Sequence, residues 1–102
     1  ADYDLGRLYY RGQGVSKNLT TAAKYFTKSA KSGHGDAQLF LGRLHLLGSG
    51  VPKTASEAYY WLTLAASQDA PAAQKLIRKA KSSLSASQID DAEKRAMAFR
   101  PK

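Results

Sequence analysis

Side chains that commonly bind metals or transfer protons are few in this sequence, and their spacing does not bring them together. The two histidines, His34 and His45, are eleven residues apart, and the chain has no cysteine. Because a zinc site needs three or four converging ligands, we predict no metal site. Asp90 and Asp91 are adjacent, so on a helix their carboxylates point about 100° apart and do not form an acid–base pair.

Two short glycine motifs could be read as phosphate-binding loops. They are Gly12-Gln13-Gly14 and Gly48-Ser49-Gly50, and both lack the third glycine and the preceding strand of such loops. The nucleophile motifs S-x-x-K, S-D-N and K-T-G are absent from the sequence, and no nucleophile stands beside a base. We therefore predict that the protein is not an enzyme and has no catalytic residues, no cofactor and no small-molecule substrate.

The chain is strongly basic. Its 102 residues include 16 Lys and Arg against 8 Asp and Glu, which gives a formal net charge of +8. Such a surface favours acidic partners, whether peptides, nucleic acids or anionic lipids. No apolar stretch approaches the ~18 to 20 residues of a membrane span, and these residues show no signal-peptide pattern. Without cysteine, oxidising and reducing compartments are equally compatible with the composition, so the localisation stays open.

An internal repeat of 36 residues determines the elements that position any site. Aligning residues 5–40 with 41–76 gives 13 identities, among them Leu5-Gly6-Arg7-Leu8 with Leu41-Gly42-Arg43-Leu44. A period of this length is typical of repeat architectures and is the most specific feature of the chain.

Each unit contains two amphipathic helices. Their apolar and small residues recur at the spacing of one helix face. The four stripes are Ala1, Leu5, Leu8, Tyr9 and Gly12; Ala22, Tyr25, Phe26, Ser29 and Ala30; Ala37, Leu41, Leu44, His45 and Gly48; and Ala58, Trp61, Leu62, Ala65 and Ala66. One hairpin cannot bury both of its stripes, so hairpins must stack side by side as in a solenoid. We expect Phe26 and Trp61 to be buried between the stacked hairpins.

The sequence thus predicts an all-α solenoid with a single domain. This domain comprises repeat 1–36, repeat 37–72, and a partial repeat with a capping helix over 73–102. Helices are expected near residues 1–12, 19–32, 37–47, 55–68, 71–82 and 86–99.

Capping residues mark where the predicted helices begin. Asn18 and Thr54 precede the second helices, and Thr54 with Glu57 matches the T-x-x-E capping box. Ser85 and Gln88 match a second capping box at the start of the last helix. That helix has no counterpart in the repeats, so we interpret it as a terminal cap. The i, i+4 pairs Asp90–Lys94 and Asp91–Arg95 are expected to stabilise it by a few tenths of a kcal/mol each.

Glycine inside a helix needs a structural reason, because it costs ~1 kcal/mol relative to alanine. Gly6 and Gly42 lie in the interior of the two first helices. We expect them to allow close approach of the paired helix at Ala22 and Ala58.

These motifs resemble the Sel-1-like repeat. The string A-x3-L-G-x2-Y-x2-G-x-G-V is read at Ala1, Leu5, Gly6, Tyr9, Gly12, Gly14 and Val15, and A-x2-[YW]-x4-A-x2-G at Ala22, Tyr25, Ala30 and Gly33. The resemblance covers residues 1 to about 81. In departure from the family pattern, Asn18 and Thr54 stand at the usual Asp, His45 at the usual Tyr, and Asp69 at the position of Gly33.

The resemblance implies a right-handed, tetratricopeptide-like α/α superhelix that serves as a scaffold or adaptor. In bacteria such proteins are often extracytoplasmic and regulate envelope, polysaccharide or polarity functions, so a periplasmic location is slightly favoured. His45 at a core tyrosine position is expected to be partly buried and hydrogen-bonded, whereas His34 is expected in a solvent-exposed loop. Since the chain begins at Ala1 without a Met, we expect a longer parent protein with further repeats before it.

The repeat also places cations in register on the first helices. Arg7, Arg43 and Lys79 occupy equivalent positions, and Phe40 and Leu47 make the middle first helix apolar nearly all round. In a right-handed array these five residues would form a concave groove with an apolar floor and a cationic ladder. Because arginine suits bidentate contact with carboxylates, we predict that this face binds an acidic-hydrophobic protein or peptide.

Other interpretations of the same residues remain open. Phe40 and Leu47 can pack against neighbouring first helices, and Lys24, Lys28 and Lys31 are most simply a solvated outer face. Binding of nucleic acid or an anionic surface is supported by the net charge alone. No nucleic-acid recognition motif is present and the cations are spread over several faces, so we do not expect it. A purely structural oligomerisation or spacer element is the third alternative.

Overall fold

The computed structural model of the chain describes residues 2–68 and 70–101. Ala1, which the sequence pattern assigns to the first apolar stripe, and Asp69, which it aligns with Gly33, lie outside the described residues, as does Lys102. The described part forms six helices and no strand: α1 (Asp2–Arg11), α2 (Leu19–Lys31), α3 (Gly35–Leu47), α4 (Ala55–Ala66), α5 (Ala73–Lys81) and α6 (Ala86–Met97).

The helices form stacked antiparallel hairpins. Helix α1 packs against α2, α3 packs against α4, and α2 also contacts α3, so the second hairpin lies beside the first. Helices α5 and α6 both pack against α4. The predicted all-helical repeat array is therefore confirmed.

The core lies between the hairpins and is built from the predicted stripes. Phe26, Leu41, Leu44 and Leu62 are fully buried, and Trp61 is 6% exposed. The predicted burial of Phe26 and Trp61 is therefore confirmed. Small residues such as Ala22 and Ala58 fill the remaining contact surface and allow the helices to approach.

Two of the three predicted caps are formed. Asn18 Oδ1 accepts a hydrogen bond from the Thr21 backbone N–H at 3.0 Å at the start of α2. At the start of α6, the Ser85 hydroxyl accepts from the Gln88 N–H at 3.1 Å, and the Gln88 side chain accepts from the Ser85 N–H at 2.9 Å. The reciprocal bonds confirm the predicted capping box, which satisfies two donors left free by the helix geometry.

The third predicted cap is wrong. The Thr54 hydroxyl donates to the Pro52 carbonyl at 3.3 Å and makes no cap bond, while Glu57 accepts from Arg95 at 2.8 Å. The same contact overturns the predicted Asp91–Arg95 pair, because Arg95 bridges from α6 to α4 instead.

The close approach at the helical glycines is to larger side chains than predicted. A Cβ atom on Gly6 would lie 2.8 Å from the ring of Phe26 on the paired helix. A Cβ on Gly42 would lie 2.7 Å from Leu62 Cγ and 3.3 Å from the Ala58 carbonyl oxygen. Glycine at these positions therefore leaves room for Phe26 and Leu62, which are among the largest fully buried side chains.

Candidate functional site

The predicted partner-binding residues lie on three consecutive first helices. Arg7 is on α1, Phe40, Arg43 and Leu47 are on α3, and Lys79 is on α5. We call these five residues the first-helix face. Helix α3 contacts α5 directly, whereas α1 is joined to α3 through aromatic rings.

Two arginines of the first-helix face each lie over an aromatic ring. The Arg7 guanidinium carbon is 5.6 Å from the centroid of the Tyr3 ring, and that of Arg43 is 5.7 Å from the centroid of Phe40. The two rings are themselves 6.0 Å apart. Together these contacts form a cation–ring–ring–cation row across α1 and α3, in which each guanidinium group lies over a ring.

Phe40 has a packing role besides its place on this face. It is half-buried, stacks on Phe26 with ring centroids 4.9 Å apart, and meets the edge of Tyr10 at 5.4 Å. It therefore links α3 to both helices of the preceding hairpin. Leu47 differs, because 62% of it is exposed at the end of α3.

The cations of the first-helix face are available for a partner. Among the described residues the ion pairs are Lys94–Asp90 at 3.1 Å and Arg95–Glu57 at 2.8 Å, and neither involves this face. Lys79 is exposed on α5. Burial raises the pKa of Tyr3, and the Asp36 carboxylate raises it further, so the ring under Arg7 stays neutral.

The histidines do not form a site. His34 is exposed as predicted, but its Nδ1 accepts from the Ala37 N–H at 3.3 Å and so caps α3, and its ring stacks on Tyr3 at 4.5 Å. His45 is partly buried, with Nδ1 3.3 Å from the Pro52 carbonyl oxygen, which confirms its predicted environment. Within the described residues no cluster of His, Cys, Asp and Glu could hold a metal ion.

A cavity of about 540 Å³ that the sequence did not indicate lies between α2, α3, α4 and the segment after α6. Trp61 and Tyr60 form its apolar wall, and Arg95 and Arg100 approach from the end of the chain. The apolar stripe predicted the burial of Trp61. No local pattern indicated that α6 would return across α4 and bring two arginines to this tryptophan.

No helix in the described part of the chain is long and apolar enough to span a membrane.

Comparison with known proteins identifies a family and a similar solved structure. The sequence model of the Sel1 repeat matches residues 1–34 and again residues 35–69. The chain is also similar, with a TM-score of 0.89 and 27% sequence identity, to the crystal structure of a protective antigen present in uropathogenic Escherichia coli strains that displays an SLR fold. That match covers 96% of this chain and 21% of the antigen, so the chain spans about a fifth of its length. No curated protein matches the chain significantly.

Proposed function

Because the chain belongs to the Sel1 repeat family, we propose that it is a protein-interaction module whose first-helix face binds an acidic-hydrophobic segment of another protein. Sel1 repeats form non-catalytic scaffolds, and the fold of this chain is that of an SLR protein. We assign binding, and no catalytic step, to the residues of this face, which are Arg7, Phe40, Arg43, Leu47 and Lys79.

The row formed by Arg7, Tyr3, Phe40 and Arg43 carries this proposal. A guanidinium held over a ring keeps its planar N–H edge free for two parallel hydrogen bonds to a carboxylate. The rings beside it offer apolar surface to the same ligand, and the exposed Leu47 extends that surface. A segment that alternates acidic and apolar side chains matches both features.

Capture of binding partners with variant baits tests this proposal. We expect proteins captured by the wild-type chain at low salt to be lost with Arg7→Glu/Arg43→Glu and retained with Lys75→Glu/Arg78→Glu. The second variant carries the same charge change at exposed positions of α5 outside the first-helix face. Because charge attraction is screened by salt and apolar contact is not, the wild-type chain should retain part of its affinity at high salt.

Two results would contradict the proposal. Equal capture by the Arg7→Glu/Arg43→Glu variant and the wild type would show that the first-helix face is not the site. Tight binding to generic duplex DNA or RNA that disappears at moderate salt would favour the nucleic-acid alternative, since phosphate contacts are strongly salt-dependent.

We further propose that the free side of α1 stacks against a preceding repeat. Leu5 and Leu8 are 39% and 36% exposed, whereas their repeat equivalents Leu41 and Leu44 are each 1% exposed. The difference follows from position, because α2 precedes and contacts α3 while no described helix precedes α1. Stacking buries an apolar stripe that a single hairpin leaves open.

The turn glycines Gly50 and Gly14 show the same difference between the covered second hairpin and the open first hairpin. Gly50, with φ of +77°, lies against the backbone of Leu19 in α2, whereas nothing approaches the equivalent Gly14, with φ of +76°. A helix equivalent to α2 ahead of α1 would therefore fit both the Leu5/Leu8 stripe and Gly14. Fusing a second copy of residues 1–36 ahead of the chain should raise its Tm. An unchanged or lower Tm would contradict stacking.

We propose a bacterial, extracytoplasmic role in a larger regulatory or envelope-related protein, which the family resemblance and the bacterial antigen with the same fold support. Fractionation of cells that express the natural protein tests it, and recovery only with cytosolic markers would contradict it.

A further inference from the structure

A groove runs along the outer side of α2, away from the residues of the first-helix face. It consists of two cavities, one of about 540 Å³ beside Trp61 and one of about 390 Å³ beside Val51. Thr27 lines both cavities, so they meet at the middle of α2. We call this surface the α2 groove. None of the first-helix-face residues lines either cavity.

The larger cavity has aromatic walls. Tyr60 and Trp61 are in edge contact, with ring centroids 4.8 Å apart, and Phe99 meets Trp61 at 6.3 Å. Its volume falls within the range of about 300 to 1,000 Å³ that is typical of ligand pockets. An aromatic or branched apolar side chain of a partner could enter it and contact Trp61.

The rim of the α2 groove is cationic. Lys24, Lys28 and Lys31 line it along α2, spaced so that they share one side of the helix, and Arg100 reaches it from the chain end. All four are exposed.

Acidic charge at the groove is already neutralised. The carboxylate that lines it, Glu57, is held by Arg95 at 2.8 Å. Neither ion pair found in the described residues includes the four rim cations. The α2 groove thus presents uncompensated positive charge to an anionic ligand.

Non-helical residues after α6 pack at one end of this groove. After α6 ends at Met97, the chain returns across α4, seats Phe99 against Trp61, and brings Pro101 to Gly33 at the end of α2. A Cβ added to Gly33 would lie 3.3 Å from the Pro101 ring. An aromatic residue in non-helical chain therefore already packs at one end of the groove.

We propose that the α2 groove is a second binding site, which takes a short, extended, acidic peptide segment with one apolar side chain in the cavity at Trp61. From Thr20 to Lys31 the helix extends roughly 16 Å, at about 1.5 Å per residue. An extended chain rises about 3.3 Å per residue, so the groove accommodates about five residues. Acidic residues on both sides of the apolar one meet the three lysines and Arg100. This site goes beyond the proposed function, since it lies on other residues and can bind while the first-helix face is occupied.

Trp61 is the only tryptophan of the chain and lines the larger cavity, so its fluorescence serves as the readout for this site. The probe is the acetylated and amidated pentapeptide Asp-Glu-Asp-Phe-Asp, titrated into the 102-residue chain. We expect a saturable change in Trp61 emission. Replacing Phe by Ser in the peptide should weaken binding, and replacing its acids by Lys should abolish it.

Matched variants separate this site from the first-helix face. Lys28→Glu/Lys31→Glu should weaken binding of the peptide by at least about tenfold, because it turns two attractive rim charges into repulsive ones. Lys75→Glu/Arg78→Glu and Arg7→Glu/Arg43→Glu should leave the emission titration unchanged. Lys28 and Lys31 are both exposed, so the Lys28→Glu/Lys31→Glu variant should fold, and far-UV circular dichroism checks that it does. The milder Lys28→Gln/Lys31→Gln change gives a second test with the charge removed but not reversed.

Several outcomes would overturn this inference. They are a change in Trp61 emission that does not saturate at millimolar peptide, equal binding of the peptide in which Lys replaces the acidic residues, and equal weakening of peptide binding by Lys75→Glu/Arg78→Glu. Displacement of the peptide by a single-stranded oligonucleotide at lower concentration would assign the groove to nucleic acid instead. Weakening of the emission titration by Arg7→Glu/Arg43→Glu alone would place peptide binding on the first-helix face, and the α2 groove would then carry no site.

Discussion

Phe40 of α3 stacks flat on Phe26 of α2, with ring centroids 4.9 Å apart and ring planes 5° apart. This contact joins the two hairpins, and it involves a residue of the first-helix face. Loss of the Phe40 ring would therefore disturb both binding and packing. Charge changes at Arg7 and Arg43, which only lie over rings at the surface, separate the two effects.

The first prediction concerns the buried partner in this stack. Phe26→Ala should lower the free energy of unfolding by about 3 to 5 kcal/mol, because Phe26 is fully buried and leaves a cavity between the hairpins. Urea unfolding followed by circular dichroism measures it. Met97→Ala is the control, since Met97 is 82% exposed and should change stability by less than about 0.5 kcal/mol. Similar midpoints for the two variants would contradict this packing.

The second prediction reverses the usual preference for alanine in helices. Alanine is favoured over glycine by ~1 kcal/mol in a helix interior. Gly42→Ala should nevertheless destabilise the protein by about 1 to 3 kcal/mol, because its Cβ would lie 2.7 Å from Cγ of the fully buried Leu62.

A double variant identifies the cause of this loss. In a Leu62→Ala background the space is free, so adding Gly42→Ala should cost less than it does in the wild type or should stabilise. Additive effects in chemical denaturation would show that the Leu62 contact is not responsible, and a more stable Gly42→Ala protein would contradict the close approach itself.

The third prediction compares two residues that sequence alone treats as equivalent caps. Ser85→Ala should cost about 0.5 to 2 kcal/mol, because the Ser85 hydroxyl accepts from the Gln88 N–H. Thr54→Ala should cost clearly less, since the Thr54 hydroxyl binds the Pro52 carbonyl and caps no N–H group. Thermal melts of both variants provide the measurement, with Asn18→Ala as a second true cap. A larger loss at Thr54 than at Ser85 would contradict these assignments.

The fold was predictable because its determinants are local and repeated. The 36-residue period aligns Leu5 with Leu41 and Ala22 with Ala58, and helical spacing alone indicates which face each helix buries. The caps at Asn18 and Ser85 are also read from a few adjacent residues. The prediction failed at Thr54, whose hydroxyl donates to the Pro52 carbonyl of the preceding loop and accepts no helix N–H.

The sites were predictable only where the repeat itself encodes them. Arg7 and Arg43 are in register by the period, but the rings beneath them are not, because the repeat aligns Tyr3 with Leu39 and Phe40 with Asp4. Arg95 meets Glu57 from 38 residues away, and only the return of α6 across α4 brings them together. No periodic pattern contains that information, which is why the cavity at Trp61 was not indicated.

The last prediction uses the contact between Tyr59 and the capping helix. The Tyr59 hydroxyl donates to Glu93 Oε2 at 2.8 Å, and burial together with this bond raises the pKa of Tyr59 from 10 to about 12. The folded state thus holds the phenol proton more tightly than the unfolded chain does. The contribution of this bound proton to the free energy of unfolding is complete below pH 10 and is lost as the pH rises towards 12.

Tyr59→Phe should therefore be less stable than the wild type near pH 9, by the lost hydrogen bond, and the difference should shrink between pH 10 and pH 12. Urea unfolding at each pH measures the difference, in which the titration of other groups cancels. Glu93→Gln separates the two causes, since it removes the carboxylate but keeps an acceptor. Part of the pH dependence should survive in that variant, because burial, the largest single cause of the raised pKa, is unchanged. Parallel pH profiles for the wild type and Tyr59→Phe would show that Tyr59 titrates alike in the folded and unfolded chains, and would contradict its burial against α6.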